Sequence, residues 1–217
     1  MSTRSLFRRV LLLWSAFLLV FALAAGGVTA RGSQSTPPAT PVSGFTPQEA
    51  IEQITSDDGV LRFDVSENAI PYVWAGQPEL VDGRPANATP FQSFGYIYPA
   101  GTLTESNGVL PDGSPEFPDK VLGQWICYGW WIGDAAHAGQ GAAWLTTHLF
   151  NFGGEWGEAM LVSEGYSIDE LDVPIDRAIV GGTGPYAGAL GVQVETNLGF
   201  NATNGINVHY EVRLTDA

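Results

Sequence analysis

The sequence is poor in positive charge. It holds 9 Lys and Arg side chains against 23 Asp and Glu, which gives a formal net charge of −14. Three of the basic residues, Arg4, Arg8 and Arg9, lie at the very start, so the chain beyond them is more acidic still. A surface of this sign repels phosphates and anionic lipid headgroups. The composition therefore excludes nucleic acid as a partner and electrostatic docking to a membrane.

Cysteine is almost missing, because Cys127 is the single one in the chain. No intramolecular disulfide can form, so stability has to come from a hydrophobic core. One cysteine cannot build a thiolate metal centre, and His137, His148 and His209 show no metal-ligand spacing. The sequence therefore predicts neither a metal nor another cofactor.

The sequence also has no long stretch in which apolar residues recur with the 3.6-residue period of a helix. One helix start is clear: Thr46 can cap, Pro47 suits the first helical position, and Glu49 can reach back to the cap. In the rest of the folded part, apolar and polar residues alternate with a period of two, most cleanly from Ile206 to Leu214. About eight such strands, 12% aromatic residues and 27 glycines predict an all-β fold, either a closed barrel or a sandwich. Closure would remove exposed strand edges.

The N-terminus has the pattern of an export signal. A positive start is followed by an apolar run from Val10 to Ala25, and Val28–Ala30 offers a small-residue cleavage site. We expect a signal peptide over 1–30, cleaved after its last residue, with an uncleaved membrane anchor as the alternative. Residues 31–44 are rich in Ser, Thr and Pro and predict a disordered spacer, which leaves one secreted domain over 45–217.

Two segments near the C-terminus carry a family resemblance: RAIVGGTGPYAGALG at 177–191 and LGFNATNGINVHYEVRL at 198–214. Shorter supporting matches lie at 95–98, 123–127 and 146–148. The chain resembles exported bacterial members of the allene oxide cyclase barrel-like and dirigent-like superfamily. The resemblance implies an eight-stranded antiparallel, calycin-like β-barrel with an apolar cavity, assembled as a homo-dimer or homo-trimer.

The resemblance also implies a set of site residues. In plant allene oxide cyclases a first-strand carboxylate helps to open a fatty-acid epoxide, and Asp64 takes its place here. Ser66 replaces the asparagine that follows two positions later. The predicted catalytic residues are Asp64, Cys127 and Tyr166, and the predicted ligand-binding residues are Ser66, Pro71 and Trp125. Each has a plainer interpretation: Asp64 as a solvated acid, Cys127 as an inert buried thiol, Tyr166 as a packing residue.

The direction of the first strand decides between these interpretations. Phe63 and Val65 face opposite to Asp64 and Ser66, so only one of the two sets can point inward. An ordinary small barrel would fill its interior with the apolar set. The resemblance implies the reverse, with Asp64 facing the cavity and Phe63 packing outward, and this is our prediction.

Two functions follow from the sequence. The first is a cofactor-free cyclase or isomerase that confines a small apolar substrate, lipid-like or polyketide-like, in the barrel. The second is a dirigent-like or lipocalin-like protein that binds or guides such a molecule without breaking bonds itself. The fold alone does not choose between them.

Overall fold

The computed structural model describes residues 43–74, 80–81, 84–132 and 142–215. The predicted signal peptide and all but the last two residues of the predicted spacer lie outside these ranges and stay predictions. The described chain has one α-helix, α1 (Pro47–Ile54), and two short 3₁₀ helices, Pro118–Lys120 and Gly184–Tyr186. Its strands are β1 (Leu61–Trp74), β2 (Leu80–Val81), β3 (Arg84–Pro85), β4 (Pro90–Pro99), β5 (Gly123–Trp131), β6 (Ala142–Phe152), β7 (Met160–Ile168), β8 (Pro174–Thr183), β9 (Gly191–Phe200) and β10 (Ile206–Leu214). No helix among the described residues is long and apolar enough to cross a membrane.

Eight of the strands form a closed antiparallel barrel in the order β1-β10-β9-β8-β7-β6-β5-β4, and β2 pairs with β3 in a separate two-stranded sheet. This confirms the predicted eight-stranded barrel over the sandwich. The closing pair is β1 with β10, where Phe63 lies opposite Tyr210 and Val65 opposite Val208. Because the sheet closes on itself, none of its eight strands offers a free edge.

Helix α1 begins as the sequence predicts. The Thr46 hydroxyl accepts the Glu49 N–H at 3.3 Å, and a Glu49 carboxylate oxygen accepts the Thr46 N–H at 2.8 Å, which completes a capping box. Ala50 and Ile54 are buried and join the core of the barrel. Just before the helix, the Ser43 hydroxyl donates to the Val121 carbonyl at 2.7 Å. The helix thereby closes the end of the barrel at which β1 begins.

Phe63 is a central residue of this core. Its ring centroid lies 5.1 Å from that of Phe150, 5.5 Å from that of Phe152 and 5.4 Å from that of Tyr210. Phe63 is fully buried inside the barrel, so the prediction that it packs outward is wrong. Packing of these four aromatic rings against one another stabilises the inward position of Phe63.

A second apolar cluster lies on the outside of the barrel. The connection 100–122, which we call the outer segment, folds back over the outward faces of β1 and β4. Tyr96 and Tyr98 are buried beneath it, and their hydroxyls donate to the carbonyls of Gly113 and Gly108, both at 2.7 Å. Outward-facing residues of β1 are therefore buried without being inside the barrel.

Strand β9 reverses the usual alternation of a barrel strand. Its inward residues are polar: Gln193, Glu195 and Asn197 are all buried. Its outward residues include Val192, which is 44% exposed. The interior of the barrel is thus partly polar, and Glu195 faces the space described next.

Candidate functional site

A cavity of about 440 Å³ occupies the barrel at the end away from α1. Phe200 lies at its mouth and is 51% exposed, so the cavity opens at this end. Side chains from seven of the eight barrel strands and two of their connections line it: Glu67, Ala69, Tyr72, Phe91, Trp125, Cys127, Trp131, Trp144, Thr146, His148, Ser167, Asp169, Glu195, Phe200, Asn204, Ile206 and Tyr210. Its volume falls within the range of about 300–1,000 Å³ that is usual for small-molecule sites.

Aromatic rings form the wall near the mouth. Tyr72 and Phe91 are stacked with 5.4 Å between centroids, and Trp131 meets Trp144 edge to face at 5.1 Å. Because each ring is fixed by a neighbour, the wall presents rigid apolar surface at little entropic cost on binding.

His148 lies deeper in the cavity, between Trp125 and Tyr210. Its Nε2 is 3.2 Å from the Thr146 hydroxyl, and its Nδ1 is 3.4 Å from the Tyr210 hydroxyl. Burial, and then the positive charge of Arg177, hold the pKa of His148 well below 6.5. The imidazole is therefore neutral at pH 7. Burial also raises the pKa of Tyr210 well above its usual value, so its hydroxyl stays protonated.

Arg177 links the strands around His148. It donates to the hydroxyls of Ser163 and Ser167 at 3.2 and 2.7 Å, and to the carbonyls of Thr146 and Tyr166 at 2.8 and 2.9 Å. These bonds join β8 to β6 and β7. Arg177 is buried and does not line the cavity itself.

Glu195 is the carboxylate that faces Arg177. Its Oε2 lies 3.5 Å from Nε of Arg177 and 3.8 Å from Nδ1 of His148, yet it accepts no hydrogen bond from the described residues. Burial raises the pKa of Glu195, although the charge of Arg177 opposes the shift. A buried carboxylate oxygen that lines a cavity without a hydrogen bond is open to a ligand's donor.

Glu67 is the second buried carboxylate of the cavity. One of its oxygens accepts the Ile206 N–H at 3.0 Å. Among the described residues no Lys, Arg or His lies within ion-pair distance of it. Burial raises the pKa of Glu67, and the hydrogen bond from Ile206 offsets only part of this rise. In contrast to Glu195, this acid has no cation beside it in the part of the chain that the structure describes.

Two of the predicted site residues line the cavity. Trp125 and Cys127 both point inward from β5. Cys127 is 5% exposed, and burial raises its thiol pKa well above 9.0, so the sulfur is a poor nucleophile as it stands. The indole N–H of Trp125 has no hydrogen-bond partner among the described residues.

The other first-strand residues do not line the cavity. Asp64 is 1% exposed but lies on the outer face of β1, beneath the outer segment, so the prediction that it faces the cavity is wrong. Ser66 lies on the same outer face, where its hydroxyl donates to Asn207 Oδ1 at 2.6 Å. The reason is the period of two: once Phe63 fills the core, its neighbour must face outward.

Pro71 and Tyr166 are also outside the set that lines the cavity. Pairing of β1 with β4 is irregular between Asn68 and Val73, and there Ala69 and Tyr72 reach the cavity while Pro71 does not. Tyr166 is 53% exposed on the outer surface of β7, since its neighbour Ser167 takes the inward position. Its backbone carbonyl contributes to the site only by accepting from Arg177.

The polar residues of the cavity that sequence reasoning missed are Glu67, His148 and Glu195, together with Arg177 behind them. The alternation of inward and outward side chains along each strand gives a signal for these residues. Glu67 continues the inward phase of Phe63 and Val65, and His148 shares a face with Phe150 and Phe152. A charged residue in the buried phase of a strand is costly and therefore informative.

Among the described residues no group of three or more His, Cys, Asp and Glu side chains is arranged to hold a metal ion. The polar groups at the base of the cavity are instead a neutral imidazole, two carboxyl groups, a thiol and hydroxyls. These groups can accept or donate hydrogen bonds and exchange protons with a bound molecule.

Comparison with known proteins places the chain by its fold alone. No known protein family matches its sequence, and no curated protein does. The pterocarpan synthase dirigent proteins PsPTS1 and GePTS1 superpose with TM-scores of 0.51 and 0.52, at 19% and 18% identity. Each superposition covers 70% of this chain, and respectively 91% and 81% of the dirigent chain. A pyocyanin demethylase gives a TM-score of 0.46 at 14% identity over 72% of this chain and 99% of its own. The barrel is thus dirigent-like in fold.

Proposed function

We propose that this barrel is a secreted protein that binds a small, largely apolar molecule in its cavity. The observation that carries the proposal is the 440 Å³ space itself, lined by seven aromatic side chains and open at one end. Most small-molecule sites combine such an apolar wall with a few polar groups that fix orientation. The dirigent-like fold supports a role in which the barrel holds or guides its ligand.

The polar groups at the base give the ligand an orientation. The Trp125 indole N–H and Glu195 Oε2 are both buried and make no hydrogen bond with the described residues. A ligand that supplies an acceptor to the first or a donor to the second removes an unsatisfied polar group, which is worth about 1–3 kcal/mol. The ligand therefore has an apolar body and at least one polar end.

A second function, isomerisation without a cofactor, is favoured by the pKa shifts in the cavity. His148 is held neutral, and burial makes Glu67 and Glu195 more basic than free glutamate. A carboxylate of raised pKa in a dry site can take a proton from one carbon of a ligand and return it to another. In this form of the proposal Glu67, Glu195 and His148 carry the chemistry, and Asp64 does not.

We also propose that the protein assembles as a homo-dimer or homo-trimer. The outer surface of β8 and β9 supports this, because Val180, Leu190 and Val192 are 44%, 57% and 44% exposed beside one another. A second copy of the chain would cover this apolar area. Light scattering on the purified protein measures the mass, and a monomer at micromolar concentration would contradict the assembly.

Titration with a neutral fluorescent probe, N-phenyl-1-naphthylamine, tests the binding function. We expect saturable binding of one probe per barrel. Cys127→Phe fills the cavity and should weaken binding at least tenfold, whereas Thr147→Phe, which adds the same ring outside the wall on β6, should leave it within twofold. Absence of binding to the wild-type protein, or equal loss in both variants, would refute the cavity as the site.

A further inference from the structure

The charged side chains that line the cavity are acidic, as far as the structure describes them. Glu67, Asp169 and Glu195 are acidic, and no Lys or Arg of the described residues belongs to the lining. His148 adds no positive charge, because it is neutral at pH 7. A cavity lined in this way repels carboxylates, sulfates and phosphates.

Arg177 pairs with Glu195 and not with Glu67. It lies behind the lining and pairs with Glu195 at 3.5 Å, while Glu67 has no Lys, Arg or His near it in the described part of the chain. Glu195 itself is 6% exposed, and its Oε2 still accepts no hydrogen bond. Within the described part of the chain, the cavity thus combines a carboxylate that has no cation beside it, Glu67, with a buried carboxylate oxygen that accepts no hydrogen bond.

The aromatic wall suits a positive charge for an independent reason. The face of an aromatic ring is negative, so a cation within about 6 Å of a ring centroid is attracted to it, most strongly by Trp. The cavity brings together Tyr72, Phe91, Trp125, Trp131 and Trp144 with Glu67 and Glu195. Rings and carboxylates in one enclosed space are the surroundings that organic ammonium ions prefer.

We infer that the ligand of this cavity is an organic cation: an apolar, ring-bearing body with a quaternary or protonated amine. Its nitrogen lies among the aromatic rings and within reach of Glu67, where it pairs with that carboxylate. This inference rests on the proposed binding function and names its ligand class. The acidic surface of the whole chain would draw the same class of molecule toward the mouth.

Three probes that share a naphthalene ring and differ in charge test the inference. They are trimethyl(2-naphthylmethyl)ammonium, its neutral carbon isostere 2-neopentylnaphthalene, and 2-naphthylacetate. Quenching of tryptophan fluorescence gives the three affinities at pH 7.5. We expect the cation to bind at least tenfold tighter than the neutral isostere, a difference of about 1.4 kcal/mol, and the anion to bind most weakly.

Glu67→Gln removes the uncompensated acid and should cut the advantage of the cation over the neutral isostere about tenfold, with little change for the isostere. Glu164→Gln is the matched control, because it removes the same charge from the outer surface of β7 and should leave the advantage within twofold. Circular dichroism and the melting temperature verify that both variants fold.

The outcomes separate the inference from the function on which it rests. Equal binding of the cation and its isostere, or tightest binding of the anion, overturns the cation preference while the cavity remains a binding site. A cation preference that survives Glu67→Gln but falls in Glu164→Gln overturns the assignment to the cavity. Failure of all three probes to bind overturns both proposals, and the wild-type comparison alone is enough to decide if Glu67→Gln does not fold.

Discussion

The carboxylate of Asp64 is hydrogen bonded to the imidazole of His209, with 2.8 Å between Oδ1 and Nδ1. The two residues are directly paired between β1 and β10. The second oxygen of Asp64 accepts the N–H of Leu103 at 3.0 Å, so one carboxylate ties the outer segment to the barrel wall. The wall separates it from the cavity, which gives this acid a structural role.

Asp64→Ala should therefore lower stability and leave ligand binding unchanged. The change leaves the buried Leu103 N–H without its acceptor, which costs about 1–3 kcal/mol of unfolding free energy. Urea unfolding measures the loss, and titration with N-phenyl-1-naphthylamine should give an affinity within twofold of the wild type. A folded Asp64→Ala protein that binds the probe ten times more weakly would return Asp64 to the site.

Glu67→Gln should raise the melting temperature at pH 8 and leave it nearly unchanged at pH 4. Burial raises the native pKa of Glu67 above its usual 4.5, so folding favours the protonated form. The stability that this proton contributes is complete below pH 4.5 and is lost as the pH rises through the native pKa. Gln has no proton to lose and still offers an acceptor to Ile206. Calorimetry at both pH values is the measurement, and a wild-type protein more stable than the variant at pH 8 would contradict it.

Arg177→Met should be the most damaging single change in the polar interior. It removes the partner of a buried carboxylate as well as four hydrogen bonds, and breaking a buried pair in this way costs about 3–5 kcal/mol. The double variant Arg177→Met/Glu195→Gln should lose less than the sum of the two single variants, since no isolated charge remains. Denaturant unfolding of all four proteins gives the coupling energy. Strict additivity would show that the two charges do not interact.

Native protein should resist alkylation at Cys127. The thiol is buried and its pKa is raised, so little thiolate forms at pH 7.5. We expect iodoacetamide to react slowly with the native protein and to add one equivalent once the protein is unfolded in urea, as mass spectrometry can count. Rapid native labelling that a bound probe prevents would instead show a thiol accessible from the cavity.

The fold could be predicted from the sequence to a large extent. The segment Ile206–Leu214, in which apolar and polar residues alternate, is strand β10. The predicted helix start is formed by Thr46, Pro47 and Glu49. Both are local signals that depend on neighbours within a few residues. Closure of the barrel, in contrast, depends on pairing β1 with β10 across more than a hundred residues, and the resemblance supplied it.

The site could be predicted only in part, because alternation gives two faces and does not say which of them is inner. On β1 the apolar set is inside, as in an ordinary barrel, and the cavity acid is Glu67 where Asp64 was expected. On β9 the opposite holds, since Glu195 is inside and Val192 is outside. The face is set by partners on other strands, such as Phe150 for Phe63 and Arg177 for Glu195. Those partners are distant in sequence.

Closure of one barrel end by α1 has a kinetic consequence. Ala50 and Ile54 plug the barrel where Phe63 and Phe152 already fill it, and the ring of Tyr186 lies 5.8 Å from that of Phe152 at the same end. Among the described residues, the cavity is closed at the α1 end and opens at the opposite end, so we expect a molecule to enter and leave there. Under the proposed binding function, entry and release then share one end of the barrel, and a bound molecule would hinder the arrival of the next.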